Sequence, residues 1–298
     1  MPIWFLLIIK NLVSCKDIKI MDIVNIDWLE KNLSNDDVFI LDCSWHLPNT
    51  NRSGEKEFLS ERIPGAIFFN IDEISDPKSP YPHMIPNEEE FSLKVSNLGI
   101  SNDHHIIAYD TLGIFSSARV YWIFKQYGHK KISILNGGLK YWKIKNKKLD
   151  TSSPTKKERA SYHAKLNRSK IKKFEDIKKN LEHKKFKLID ARPSGRFNGM
   201  DPEPRAEIQS GSIKNSFNIP FTEVIDQETG CFKEKEELKK VFLKNQIKQE
   251  DDVIFSCGSG VAACVVGSAY KSLGTEDNFN VFDGSWTEWA LRNNLKIK

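Results

Sequence analysis

The chain has 298 residues, 39% of them hydrophobic and 11% aromatic, enough for about two domains with separate cores. Its formal charge of +5, from 45 Lys and Arg against 40 Asp and Glu, sits in lysine-rich runs such as "KIKNKK" and "SKIKKF". No aromatics interleave with these runs, so they read as solvated faces and no nucleic-acid partner is expected. Cys15, Cys43, Cys231, Cys257 and Cys264 form an odd, scattered set without a C-x-x-C pair. That pattern argues against a disulfide framework or a zinc site, and for a reducing, cytoplasmic setting.

Residues 1–21 contain an apolar run, Ile3 to Ile9, that is too short to span a bilayer, so no membrane partner is expected. No basic segment precedes the run and no small-x-small site follows it. The stretch reads as an extension of uncertain status, with a targeting peptide as the alternative. A domain then opens at "MDIVNIDWLEKNL".

Short apolar runs follow in chain order: "VFILD", "IIAYD" and "SILN", then "FKLID", "VIFSC" and "NVFDG". Helical stretches alternate with them. In "KEELKKVFLKNQI", for example, Leu238, Val241 and Phe242 fall at i, i+3 and i+4. Continuous apolar strands between helices predict α/β folding, with parallel sheets covered on both faces. The runs also repeat. Asp42 and Asp190 stand 148 apart, while Asp110 and Cys257, Gly137 and Gly284, and Trp142 and Trp289 stand 147 apart. Matched blocks in one order at nearly one offset mean two copies of one fold. The domains are expected at 22–148 and 162–298, joined by a Pro- and Ser-containing linker at 149–161.

The sharpest chemical signal is "FSCGSGVAAC". Val253 to Phe255 read as a buried strand and Val261 onward as a helix. Cys257, Gly258, Ser259, Gly260, Val261 and Ala262 therefore lie outside the carboxyl end of a parallel strand, where α/β sheets bind ligands. Two glycines let successive backbone N–H groups form an anion-binding nest, and the helix N-terminus adds its dipole. A thiol placed there is expected to ionise readily and to act as a nucleophile. Cys43, Cys231 and Cys264 read instead as ordinary core residues. The first copy carries Asp110 at the matching position, so only the second half should be reactive. In "DARPSGRFNGMDPEPR", Arg196 and Arg205 flank a Gly/Pro-rich turn; such a pair reads either as surface salt-bridging or as two planar forks for a carboxylate. Arg192 is expected to pair with the acidic residues of that turn.

The tandem repeat, the degenerate first loop and "CGSGVAAC" resemble the two-domain rhodanese superfamily over residues 22–298. Within it they resemble the branch that draws sulfur from 3-mercaptopyruvate. The resemblance implies two rhodanese-like domains, the second catalytic. It also implies a sulfurtransferase in which Cys257 takes up sulfur as a persulfide and passes it to a thioredoxin-like or small thiol, or to cyanide. "GRF…EPR" matches the family's substrate-binding arginines, at Arg196 and Arg205. The segment "FFNIDEISDPKSPYPHM" matches a region whose Asp and His join the loop serine in a proton relay, here Asp72, His83 and Ser259. The blander reading is that Asp72 and His83 satisfy the domain interface.

Thiosulfate-preferring relatives carry basic residues just after the cysteine, and this loop has none. Ala262 stands where a threonine is usual, which removes one donor from the cradle. Cysteine phosphatases, which share a related fold, close the loop with an arginine; here it ends in Ala262-Ala263. The alternatives left are a thiosulfate:cyanide sulfurtransferase and a non-catalytic persulfide carrier. No metal-ligand spacing or nucleotide fingerprint appears, so no cofactor is expected. A monomer or weak dimer is expected.

Overall fold

Strands made almost wholly of Val, Ile, Leu and Phe can be stable only when both faces are covered. The computed structural model, which describes residues 22–274 and 279–295, shows how this is achieved. The expectation for residues 1–21 falls outside that range. The N-terminal half contains β1 (Ile23–Val24), β2 (Val38–Asp42), β3 (Ile67–Phe68), β4 (His105–Tyr109) and β5 (Ile132–Leu135), in the sheet order β1-β5-β4-β2-β3. The C-terminal half repeats this with β6 (Ile171–Lys172), β7 (Lys187–Asp190), β8 (Phe217–Asn218), β9 (Val253–Ser256) and β10 (Asn280–Phe282), in the order β6-β10-β9-β7-β8. Every pairing in the two sheets is parallel. The expected α/β architecture is thus present twice.

The helices that matter for the site are α1 (Ser116–Gln126) after β4, α2 (Val261–Lys271) after β9 and α3 (Ser285–Arg292) after β10. Helices α1 and α2 pack against each other as well as on their own sheets. All of Val261–Tyr270 is therefore buried, and so is every residue of α1 except Lys125. This explains why "VAACVVGSAY" carries no polar stripe: the helix has no solvent face. A Cβ at Gly267 would lie 2.3 Å from Phe279 Cδ2, so the glycine permits this close approach. The amphipathic segment read in "KEELKKVFLKNQI" forms a helix over Lys235–Lys244, with Leu238 and Phe242 facing inward. The stretch 149–161 runs without regular structure but is tied down, with Arg62 bonding Asp150 and Ala160 N–H donating to Ser96 O at 3.0 Å. No helix among the described residues is long and apolar enough to cross a membrane.

The cysteine reading needs one correction. Cys43, Cys257 and Cys264 are free and buried, but Cys231 is disulfide-bonded rather than simply a core thiol. Its half-cystine packs beside Gly137, where a side chain would strike the sulfur.

One pair of matched positions differs in a way that affects stability. Buried Asp190 is neutralised by Arg192, whose Nε and Nη2 lie 3.0 and 2.6 Å from its oxygens. Its counterpart Asp42 has Ser44 in place of that arginine and pairs with no cation among the described residues; the Ser44 N–H donates to it at 2.9 Å. Burial raises the Asp42 carboxyl to about 6, with Asp110 adding to the rise and the hydrogen bonds opposing it. The folded state thus binds a proton more tightly than the unfolded chain. Its contribution is complete below about pH 4 and is lost as pH climbs through about 6. Asp42→Asn keeps the acceptor for Ser44 and removes the buried charge. It is expected to raise stability near pH 7.5 by up to about 3 kcal/mol and to do little near pH 4. Thermal melts of both proteins at the two pH values test this; an equal shift at both would contradict the assignment.

Candidate active site

The loop between β9 and α2 is shaped by bonds from α3. Trp286 N–H donates to Cys257 O at 2.9 Å, and Thr287 N–H and Oγ1–H donate to Gly258 O at 3.0 and 2.7 Å. Cys257 N–H donates to Ser285 Oγ at 3.1 Å. The outer carbonyls are thereby occupied, whereas the N–H groups of Gly258 to Ala262 find no acceptor among the described residues. A run of unoccupied amides at a helix N-terminus is suited to hold an anion. Gly260 adopts φ +79°, and a Cβ there would approach Arg119 Nη1 at 3.0 Å and Asp283 O at 3.1 Å. Only glycine closes this loop without strain.

The N-terminal half shows what such a nest does. Asp110, matched to Cys257, accepts Leu112 N–H at 3.0 Å on Oδ1. On Oδ2 it accepts Phe115 N–H at 2.8 Å, Ser117 N–H at 3.0 Å and Ser117 Oγ–H at 2.6 Å. The first copy therefore fills its own cradle with a side-chain carboxylate. The second copy leaves its cradle open beside a thiol.

Cys257 lies in a cleft between the halves. Its wall includes Arg196, Arg205, Gly258, Ser259, Val261 and Ala262, faced by Trp45, Leu47, Phe115 and Phe221. The cleft is narrow, about 60 Å³, and suits a small ligand. A larger cleft of about 440 Å³ lies in the N-terminal half, but its charged groups are already engaged: Arg52 with Glu57, Lys143 with Glu61, and Lys140 with the Gln227 carbonyl. The chemistry favours the smaller one. Cys264, in the first turn of α2, is fully buried with its thiol on Gly260 O, as expected of a core residue.

The two arginines reach the cleft by different means. Glu203 bridges Arg192, at 2.6 Å from Nη1, and Arg196, at 3.0 Å from Nε with Nη2 also in contact. Arg192 thus pairs with the acidic turn as its sequence context suggested. Arg196 is held against Gly258, whose added Cβ would meet Nη2 at 3.1 Å. Arg205 is half-buried and makes no hydrogen bond or ion pair among the described residues. Burial pushes its guanidinium below the usual range, and the charge of Arg196 adds to this; Cys257, Glu207 and Asp72 oppose it. A carboxylate placed between Arg205 and Cys257 would satisfy that cation.

Asp72, His83 and Ser259 also meet. His83 Nε2 lies 2.9 Å from Asp72 Oδ1, and Nδ1 lies 2.9 Å from Ser259 Oγ. Trp45 Nε1–H donates to Asp72 Oδ2 at 3.0 Å, and its ring meets the His83 ring edge-on at 4.7 Å. His83 is buried, which pushes its imidazole down; Asp72 opposes that, and Arg205 and Arg119 add to it. Burial acts against the Asp72 charge, but its bond and attraction to His83, then Trp45 and Arg205, leave the carboxyl below the ordinary range. A neutral imidazole between a carboxylate and a hydroxyl can pass a proton in either direction. Sequence reasoning found these three residues but missed Trp45, Phe115 and Arg119, all from the first half. The only signal was their place just after the strands or loops matched to the reactive half.

Two copies of a parallel sheet, one nest closed by a carboxylate and the other open at a thiol, define a tandem α/β protein with an open cysteine loop in its second half. The rhodanese-like domain matches residues 25–145 and 173–292, and the chain belongs to the rhodanese family. It is 41% identical to human 3-mercaptopyruvate sulfurtransferase, with 85% of each chain covered. It is 42% identical to thiosulfate sulfurtransferase of Bos taurus, again over 85% of each. Among solved structures it resembles SseA from Escherichia coli, described as having the rhodanese fold of 3-mercaptopyruvate sulfotransferases. That match has a TM-score of 0.80 at 33% identity and covers 89% of this chain and 98% of that one. Relatives with either substrate name are equally similar, so identity alone does not separate the two substrates.

Proposed function

We propose that the protein is a sulfurtransferase that takes sulfur from 3-mercaptopyruvate onto Cys257 and releases pyruvate. In this reading residues 162–298 form the catalytic unit and residues 22–148 supply Asp72 and His83 to the relay. The carboxylate of the substrate lies on Arg205, with Arg196 toward the keto oxygen. The Cys257 thiolate attacks the substrate sulfur, the new S–S bond forms as the C–S bond breaks, and the electron pair leaves as pyruvate enolate. Ser259, linked through His83 to Asp72, delivers the proton that the enolate takes up. The amides of Gly258 to Ala262 hold the charge of the persulfide. A second thiol, thioredoxin-like or small, or cyanide in vitro, then attacks the outer sulfur and regenerates Cys257, a ping-pong cycle. The site is complete within one chain, as a monomer or weak dimer requires, while the disulfide-bonded Cys231 does not support the reducing, cytoplasmic setting expected from the cysteine pattern.

The observation that carries this reading is Arg205, unpaired among the described residues, facing Cys257 across a loop with no cation of its own. Thiosulfate, a compact dianion, needs positive charge beside the thiolate, whereas a carboxylated thiol can be gripped from further off. Initial rates with both donors and cyanide as acceptor test the point. Mercaptopyruvate should exceed thiosulfate in kcat/KM by about a hundredfold, the size of one charge-assisted contact. Preference for thiosulfate would overturn the substrate assignment. Turnover with neither would point to a persulfide carrier.

A further inference from the structure

His83 is held in an unfavourable backbone conformation, φ +60°, which a non-glycine residue adopts only when its surroundings impose it. Two of the bonds that impose it come from one buried ion pair. Arg119 of α1, fully buried, donates through Nη2 to His83 O at 2.7 Å and to Asp283 Oδ1 at 2.5 Å. Asp283, just after β10 in the other half, accepts Ile85 N–H on Oδ2 at 3.0 Å. Asp76 N–H adds a bond to Met84 O at 2.9 Å. The same guanidinium lies over the Trp122 ring at 4.7 Å and against Gly260, the last residue of the cysteine loop. One side chain therefore touches both the segment that carries the imidazole and the loop that carries its hydroxyl partner.

The repeat provides an internal comparison. At the position matched to Asp283 stands Asn136, whose Oδ1 accepts Phe232 N–H at 3.0 Å, and Phe232 is the residue matched to Ile85. Arg119 is the fourth residue of its helix, and the fourth residue of α2 is the uncharged Cys264. Both copies thus use a strand-end side chain to hold the other half's loop. Only on the reactive side does a buried cation join it.

We infer that Arg119, with Asp283, is a positioning residue for sulfur transfer. It fixes His83 so that the imidazole meets Ser259, and it acts on the rate of the proton-coupled step rather than on substrate binding. This rests on the proton-relay reading of Asp72, His83 and Ser259.

The test is a double-mutant cycle on pyruvate release by the full chain, with Arg119→Met, His83→Gln and the double variant. If Arg119 works through His83, Arg119→Met should lower kcat by roughly 10- to 100-fold and leave the KM for mercaptopyruvate within about threefold. The double variant should then be no slower than His83→Gln alone, because coupled residues do not add. Asp283→Asn, which keeps the shape and one acceptor, should lower kcat by about tenfold and guards against a folding failure of Arg119→Met. Losses that multiply in the double variant, or fall on KM and kcat alike, would assign Arg119 a purely structural role and overturn the inference. If His83→Gln is slow while Arg119→Met and Asp283→Asn run at the normal rate, the clamp alone is wrong. If His83→Gln is itself as fast as the unmodified protein, the relay reading falls and takes the inference with it.

Discussion

Replacing Cys257 with serine is expected to reduce pyruvate release from mercaptopyruvate by about 10⁴-fold or more, as removal of a catalytic nucleophile does elsewhere. The reason is chemical rather than steric. A hydroxyl in the same nest cannot accept sulfur as a persulfide, since that intermediate is a sulfur–sulfur bond. The variant should fold normally, because the loop is fixed by its backbone bonds to Ser285, Trp286 and Thr287 and not by the thiol. A coupled pyruvate assay beside a thermal melt separates the two properties. Residual turnover within tenfold of the original would move the nucleophile elsewhere.

The next largest effect is expected at Arg205. Half-buried and without a partner among the described residues, it is poised for a ligand carboxylate, so Arg205→Ala should cost about 2–4 kcal/mol of substrate binding. That corresponds to a loss of roughly 30- to 1,000-fold in kcat/KM, carried mainly by KM. Arg196→Ala should behave differently. Glu203 already neutralises Arg196, and removing the arginine leaves that buried carboxylate with Arg192 alone. Stability should therefore fall along with affinity. Steady-state kinetics and melts of both variants give the comparison. Identical profiles, with equal losses in stability, would show that the two guanidinium groups are not divided in this way.

Much of the molecule is legible in the sequence because its signals are local. Unbroken apolar runs announce buried parallel strands, and a common offset of about 147 reveals the duplication. "CGSG" after such a run places the thiol at a sheet's carboxyl edge, where Cys257 indeed lies. Spacing brings the cysteine loop of the second half into view, whereas Arg196, Arg205 and the relay role of Ser259 are implied by the family resemblance rather than by spacing. Contacts across the interface have no such signal. Arg119 is buried inside an apolar helix, and its partner Asp283 lies more than 160 positions away, as does the Ser259 that His83 meets. Nothing in the sequence marks Trp45, whose indole nitrogen the fold brings to Asp72. The division of labour between Arg196 and Arg205 is equally hidden, because only the fold shows that Glu203 turns toward one and away from the other.

The central claim is that Cys257 is the atom on which sulfur rests between donor and acceptor. Incubating the purified protein with mercaptopyruvate in the absence of acceptor, followed by peptide mass analysis, tests it directly. Cys257 and Cys264 share the stretch 249–271, which has no internal Lys or Arg, so fragment ions must place the sulfur. The gain of one sulfur atom should fall on Cys257, with none on Cys264 or Cys43, and cyanide should remove it. Sulfur found on another cysteine, or no gain on a protein that still releases pyruvate, would contradict the claim.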